Sequence, residues 1–153
     1  MTHAHGNAGN RRALRVLLIT WGLASCGYGI AASNSEAYEL QERCGRHAAE
    51  TFKREFGTGD IRDKDGRAVW TYRNHYNAQL NKCFYLESSA RFPKKKEEGI
   101  TESRRLYDLH ENKVYAQFSR NSMDKNSLSC SVAGTQCSSA AEWESLIKAF
   151  MEN

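Results

Sequence analysis

The feature that most constrains this chain of 153 residues is a leader-like segment near its N-terminus. Three arginines, Arg11, Arg12 and Arg15, precede an uncharged, mostly apolar run over 16–26, and small residues follow as far as Ala32. Basic, apolar and small residues in this order are typical of a secretory signal peptide. We therefore predict that residues 1–32 are a signal peptide and that residues 33–153 fold after export, in the periplasm or cell envelope.

Two cleavage routes are compatible with this leader. Leu23-Ala24-Ser25 before Cys26 has the form of a lipobox, in which Cys26 would be acylated and would anchor the protein to a membrane. Ordinary cleavage after Ala31 or Ala32 would instead discard Cys26. Ser25 is a less favourable neighbour than Gly or Ala, which gives ordinary cleavage a slight advantage, and both routes stay open.

Four cysteines remain after the leader is removed: Cys44, Cys83, Cys130 and Cys137. An even number of cysteines in a small exported domain predicts two disulfides, for which three pairings exist. Proximity along the chain favours a bond between Cys130 and Cys137, which leaves Cys44 to pair with Cys83. No Cys-x-x-Cys pair occurs and no histidine lies at ligand spacing from a cysteine, so we expect no metal site and no cofactor.

The charge of the exported part argues against a nucleic-acid partner. The full chain carries a formal charge of +4, but the leader contains three arginines and no acidic residue, so residues 33–153 carry only +1. The one basic run, Lys94-Lys95-Lys96, is followed at once by Glu97 and Glu98, which is typical of a solvated loop.

The periodicity of residues 33–153 predicts a single α+β domain. A helix is indicated by apolar residues at Leu40, Cys44, Ala48 and Phe52, and another by Trp143, Leu146, Ile147 and Phe150. Runs rich in aromatic and β-branched residues predict four strands, over 69–76, 82–86, 105–109 and 114–118. The predicted order is α-β-β-β-β-α: an antiparallel four-stranded sheet flanked by an N-terminal and a C-terminal helix, with both helices packed against one face.

One strand concentrates the candidate binding residues: Trp70, Tyr72, His75 and Tyr76. Trp70, Tyr72 and Tyr76 share one side of this strand because side chains alternate, and such aromatic, hydroxyl-bearing side chains either fill a core or contact a ligand. His75 could act as an acid or base in a hydrolase. We expect no catalytic residues, however, because no partners for His75 can be read from the chain and the cysteines are expected to be bridged.

Four segments carry a resemblance to a known group of proteins: 38–45, 74–84, 107–115 and 142–151. Together they resemble a family of small exported bacterial proteins of unknown function, over most of residues 38–151. The resemblance implies an exported single domain. It implies no activity, and no functional residue can be carried over from it.

The function expected from the sequence is therefore binding, through contact with an envelope protein or a small ligand. The disulfide-closed loop between Cys130 and Cys137 is a second candidate contact, because a rigid loop loses less entropy on binding. The alternatives are a glycan or small-ligand binder with a pocket between helices and sheet, and a small hydrolase that uses His75.

Overall fold

The computed structural model describes residues 34–152, so the predicted signal peptide and Cys26 lie outside the described residues. The first helix, α1, spans Asn34–Phe56. It buries Cys44, Ala48 and Thr51, whose spacing of three and four residues places them on one side of the helix. The helix ends at Gly57, whose φ of 62° is left-handed and whose N–H donates to the carbonyl of Lys53 at 3.1 Å.

A single antiparallel sheet follows, in which each strand pairs with the next along the chain. Its strands are β1 Asp60–Arg62, β2 Gly66–Asn77, β3 Lys82–Pro93, β4 Thr101–Asp108, β5 Lys113–Asn121, β6 Ser129–Val132 and β7 Thr135–Gln136. The second helix, α2, spans Ala140–Met151. The α+β class, the antiparallel sheet and the two helices are confirmed.

The predicted number of strands is wrong, since the sheet has seven strands and not four. The four predicted strands coincide with parts of β2, β3, β4 and β5, although Leu109 of the third lies one residue beyond β4. The additional strands, β1, β6 and β7, are two to four residues long, and no strand was predicted for their segments. They pair at the two ends of the sheet, where β1 and β7 are exposed, whereas β6 buries Cys130 and Val132.

The prediction that both helices pack on one face is also wrong. In β3, Tyr85 contacts Ala48 of α1, whereas Phe84 and Leu86 lie on the other side, in one cluster with Trp143 of α2. The helices therefore cover opposite faces of the sheet. The physical reason is that β3 is central, and its residues Cys83 to Glu87 are all buried, so each of its faces needs a cover.

Two disulfides connect these elements. Cys44 of α1 is bonded to Cys83 at the start of β3, and Cys130 of β6 is bonded to Cys137 just before α2. This is the pairing predicted from the chain spacing. Disulfides persist in oxidising compartments, so they fit a location outside the cytoplasm. Neither described helix combines the length and apolar character that crossing a membrane requires.

Candidate functional site

One part of the sheet is covered by neither helix. Helix α1 packs mainly on β2 and β3, so the same face of β4, β5 and β6 stays open to solvent. Paired residues of antiparallel strands share a face. Besides the Thr101–Asn121 pair at one end, the register puts six polar side chains on this side: Ser103, Arg105, Gln117, Ser119, Ser129 and Ser131. We call these six residues the open face.

Two hollows lie along this surface. The first, of about 290 Å³, is bordered by Trp70 and Glu87 at the α1 side and continues over the open face to Ser129. The second, of about 450 Å³, lies towards the β6–β7 turn, at Ala133 and Gly134. Gln117 lines both hollows, so they adjoin on β5.

A buried acid lies in the wall of the first hollow. Glu87 of β3 is only 5% exposed, and its Oε1 lies 2.8 Å from the guanidinium of Arg105, the residue opposite it on β4. Its Oε2 is buried and has no hydrogen-bond partner among the described residues. Burial raises the pKa of the Glu87 carboxyl above its ordinary value although Arg105 acts in the opposite direction.

Two tyrosines surround this pair. Burial raises the pKa of Tyr107 to about 12, and it raises the pKa of Tyr85 further, so both side chains keep their hydroxyl proton at neutral pH. The guanidinium of Arg105 lies over the Tyr107 ring, 5.5 Å from its centroid. Arg105 is thus held from two sides, by a carboxylate and by an aromatic face, while about half of its side chain, 49%, remains exposed.

The predicted binding residues do not form one surface. Trp70 lines the first hollow and stacks on Phe56 of α1, with ring centroids 4.2 Å apart. Tyr72 lies in the core below α1, between the rings of Phe52 and Tyr85. Of the four predicted residues, Trp70 therefore remains the one that lines the open side of the sheet.

The other two predicted residues lie away from the hollows. Tyr76 is at the end of β2, where its hydroxyl donates to Asn81 at 2.7 Å and its N–H donates to Gln41 at 2.8 Å. His75 is half-buried and projects from the opposite face of β2 to Trp70 and Tyr76. A hydrolase built on His75 would therefore act on the α2 side of the sheet. Across residues 34–152, no group of three or more His, Cys, Asp or Glu side chains has the geometry to hold a metal ion.

A second charged cluster lies at the β4–β5 turn. The Lys82 ammonium lies 2.8 Å from Asp108 and 2.7 Å from Glu111, and Asp108 also accepts the N–H of His110 at 3.0 Å. Asp108 is only 1% exposed, and a carboxylate so deeply buried needs a partner inside the protein, which here is the Lys82 ammonium. These contacts fix the conformation of the turn.

Glu87, Arg105 and Gln117 were not among the predicted site residues. Arg105 and Gln117 lie within predicted strands, where polar residues normally indicate a solvated face. Glu87 carried a signal: it directly follows the apolar run from Cys83 to Leu86. An acid at the end of such a run is a candidate buried carboxylate, because a strand flanked by covered faces leaves it little access to water.

Comparisons with family models, with curated proteins and with solved structures found no significant match to this chain. A functional assignment therefore depends on the chemistry of the open face.

Proposed function

We propose that this protein is an exported binding domain and that its open face binds a neutral, hydroxyl-rich ligand of the oligosaccharide class. The observation that carries the proposal is the composition of the open face. Five of its six side chains are uncharged hydroxyl or amide groups, and the sixth, Arg105, is paired with Glu87.

The chemistry of these side chains matches that of a sugar. A serine hydroxyl both donates and accepts hydrogen bonds, and the Gln117 amide does the same through two separate groups. A sugar hydroxyl has the same dual character and no charge. Trp70 adds an apolar wall with an N–H group, and amphipathic aromatic side chains of this kind are favoured at surfaces that bind partly apolar ligands.

The arrangement of the two hollows favours a ligand longer than a single sugar unit. Both hollows are bordered by Gln117, so one chain of sugar units could occupy them in succession. A ligand in both hollows would cross β4, β5 and β6, which belong to one sheet. We therefore propose an extended site on a rigid platform, for which little ordering of the protein is needed on binding.

The proposed location is the periplasm or cell envelope. The leader-like segment and the two disulfides support export, and acylation of Cys26 would add a membrane anchor. Membership of the exported bacterial family that the sequence resembles is part of this proposal. The proposed role is recognition and not catalysis, since the open face carries one charged pair and no second carboxylate.

Titration calorimetry on the purified exported domain tests the proposal. The probes are linear oligosaccharides of glucose and of N-acetylglucosamine. We expect at least one to bind. Gln117→Ala should weaken binding about fivefold, because a typical hydrogen bond contributes about 1 kcal/mol. Gln79→Ala is the matched control, since Gln79 is exposed in the β2–β3 turn, away from the open face.

Two results would count against this function. One is the absence of binding to every neutral oligosaccharide tested. The other is equal weakening by Gln117→Ala and Gln79→Ala, because that would place the ligand elsewhere on the protein.

A further inference from the structure

We propose that the Glu87–Arg105 pair sets the specificity of the open face: Arg105 donates hydrogen bonds to the ligand, while Glu87 cancels its charge and so selects neutral over acidic oligosaccharides. This inference rests on the proposed function and adds to it a residue pair that discriminates between two ligand classes.

The position of Arg105 suits it to contact a ligand. Its Nη2 donates to Glu87 Oε1 at 2.8 Å, which uses one of the five N–H donors of a guanidinium. The side chain also lies over the Tyr107 ring, so its orientation is fixed before any ligand arrives. Arg105 lines the first hollow and is half exposed, so its remaining donors are accessible from that hollow.

Glu87 lies beside Arg105 in the wall of the same hollow. Only 5% of it is exposed, whereas Arg105 is half exposed. A ligand would therefore meet the exposed guanidinium first, with a negative charge beside it. At this separation the pair presents a dipole and no net charge, so a ligand carboxylate gains little from long-range attraction.

Two other cations lie near this face: Arg91 of β3 is paired with Asp63, and Lys113 borders the second hollow. Arg104, the neighbour of Arg105 in sequence, projects to the opposite face, where it forms an ion pair with Glu144 of α2. The other acid near Glu87 is Glu55 of α1, whose charge acts on the Glu87 carboxyl. Removing the charge of Glu87 would therefore leave Arg105 in the first hollow without its paired carboxylate.

The test compares one neutral and one acidic probe on three proteins. The probes are an oligomer of N-acetylglucosamine and an oligomer of galacturonic acid, and the proteins are the wild type, Glu87→Gln and the double variant Glu87→Gln/Arg105→Gln. Glutamine has the shape of glutamate without its charge. The double variant is the matched control, because it makes the same change at position 87 but removes the cation.

We expect the wild type to bind the neutral probe and to bind the galacturonate oligomer more weakly. We expect Glu87→Gln to bind the galacturonate oligomer about tenfold more tightly than the wild type. A gain of this size corresponds to one hydrogen bond to a charged group. The double variant should lose this gain. Thermal unfolding of each variant verifies that it is folded.

Each outcome separates this inference from the proposed function. If the wild type binds neither probe nor any other neutral oligosaccharide, the proposed function fails and the inference fails with it. If the wild type binds the neutral probe but Glu87→Gln gains no affinity for galacturonate, or the double variant gains as much, only the inference is overturned. If the wild type binds the neutral probe but prefers galacturonate, the inference alone is likewise overturned.

A measurement on the wild type covers the case in which Glu87→Gln does not fold. Lowering the pH from about 7 to about 5 protonates part of the Glu87 population while galacturonate stays ionised, so its affinity should rise. The titratable and charged groups around Glu87 are Arg105, Tyr107, Tyr85, Tyr72 and Glu55. Unchanged or falling affinity for galacturonate over this range would contradict the inference.

Discussion

Cys44 in α1 and Cys83 in β3 have Cα atoms 5.4 Å apart and are joined by a disulfide. This bond fixes one end of the region where α1 lies on β2 and β3. Further along the helix, Phe52 and Phe56 pack on the aromatic side chains of β2, which keeps α1 on that side of the sheet. The open face on β4–β6 therefore results from the placement of α1.

The long disulfide should stabilise the fold more than the short one. Cys44 and Cys83 are 39 residues apart, whereas Cys130 and Cys137 are 7 apart. The loop-entropy relation gives about 4 kcal/mol for the long link and about 2.5 kcal/mol for the short one. We expect the Cys44→Ala/Cys83→Ala protein to lose more free energy of unfolding than the Cys130→Ala/Cys137→Ala protein in urea titrations. The reverse order would show that chain entropy does not govern their contributions.

Asp108 should make the protein sensitive to acid. Burial acts to raise its pKa, but the hydrogen bonds from Lys82 and from the His110 N–H outweigh burial and hold the pKa below the ordinary value of 3.8. A lowered pKa in the folded state contributes stability that is present above pH 3.8 and is lost as the pH falls through the folded value.

Asp108→Asn should remove this contribution. We expect it to lower the free energy of unfolding at neutral pH by about 2 kcal/mol, the contribution of a hydrogen bond to a charged group. The free energy of unfolding of the variant should also depend less on pH in the acid range. Asp65→Asn, at an exposed position, is the matched control and should have little effect. Equal effects of the two substitutions in urea titrations at several pH values would refute the role of Asp108.

Glu87 should give a pH dependence of the opposite sign. Its folded-state pKa is raised by burial, so its contribution is fully present below the ordinary value of 4.5 and is lost as the pH rises through the folded value. Glu87→Gln cannot ionise. We therefore expect the free energy of unfolding of the wild type, relative to Glu87→Gln, to decrease as the pH rises from acid to neutral. An increase over the same range would mean that Arg105 outweighs burial.

Two side chains cap the start of α2: that of Ser139, and that of Glu142, which accepts hydrogen bonds from Ser138. The Ser139 hydroxyl accepts the N–H of Glu142 at 3.1 Å, as the Ser-x-x-Glu spacing predicts. We expect Ser139→Ala to lower the free energy of unfolding by about 1 kcal/mol. Ser145→Ala, on the exposed side of the same helix, should be neutral or slightly stabilising. A loss of stability in Ser145→Ala equal to that in Ser139→Ala would contradict the capping role.

The sequence predicts the elements whose pattern is local. Both helices have an apolar stripe, and the aromatic and β-branched runs coincide with β2 to β5. Strands β1 and β7 could not be predicted, since their residues are exposed and they exist only through pairing with a neighbour. Strand β6 has a weak local sign, since the buried residues Cys130 and Val132 alternate with serines over its four residues. The two-sided cover of β3 had a local sign: the run from Cys83 to Leu86 lacks the alternation of a strand with one solvated face.

The candidate site could not be read from the chain because its residues come from separate strands. Glu87 meets Arg105 only through the β3–β4 register, and Gln117 joins them only through the β4–β5 register, which shifts at a bulge between Leu106 and Tyr107. A change of register by one residue would move Arg105 to the α2 side. Such register is a property of the assembled sheet. Trp70 was predicted because it lies with other aromatic residues on one side of a strand that the local sequence already indicates.

The most direct test of the account is an NMR titration of the isotope-labelled domain with the oligosaccharide that binds in calorimetry. The account predicts that the backbone amide signals that shift most belong to the open face, at Ser103, Gln117 and Ser129. Signals from the exposed apolar residues Phe92 and Met123, and from His75 on the other face, should remain in place. Shifts concentrated at Phe92, Met123 or His75, with the open face unchanged, would contradict the account.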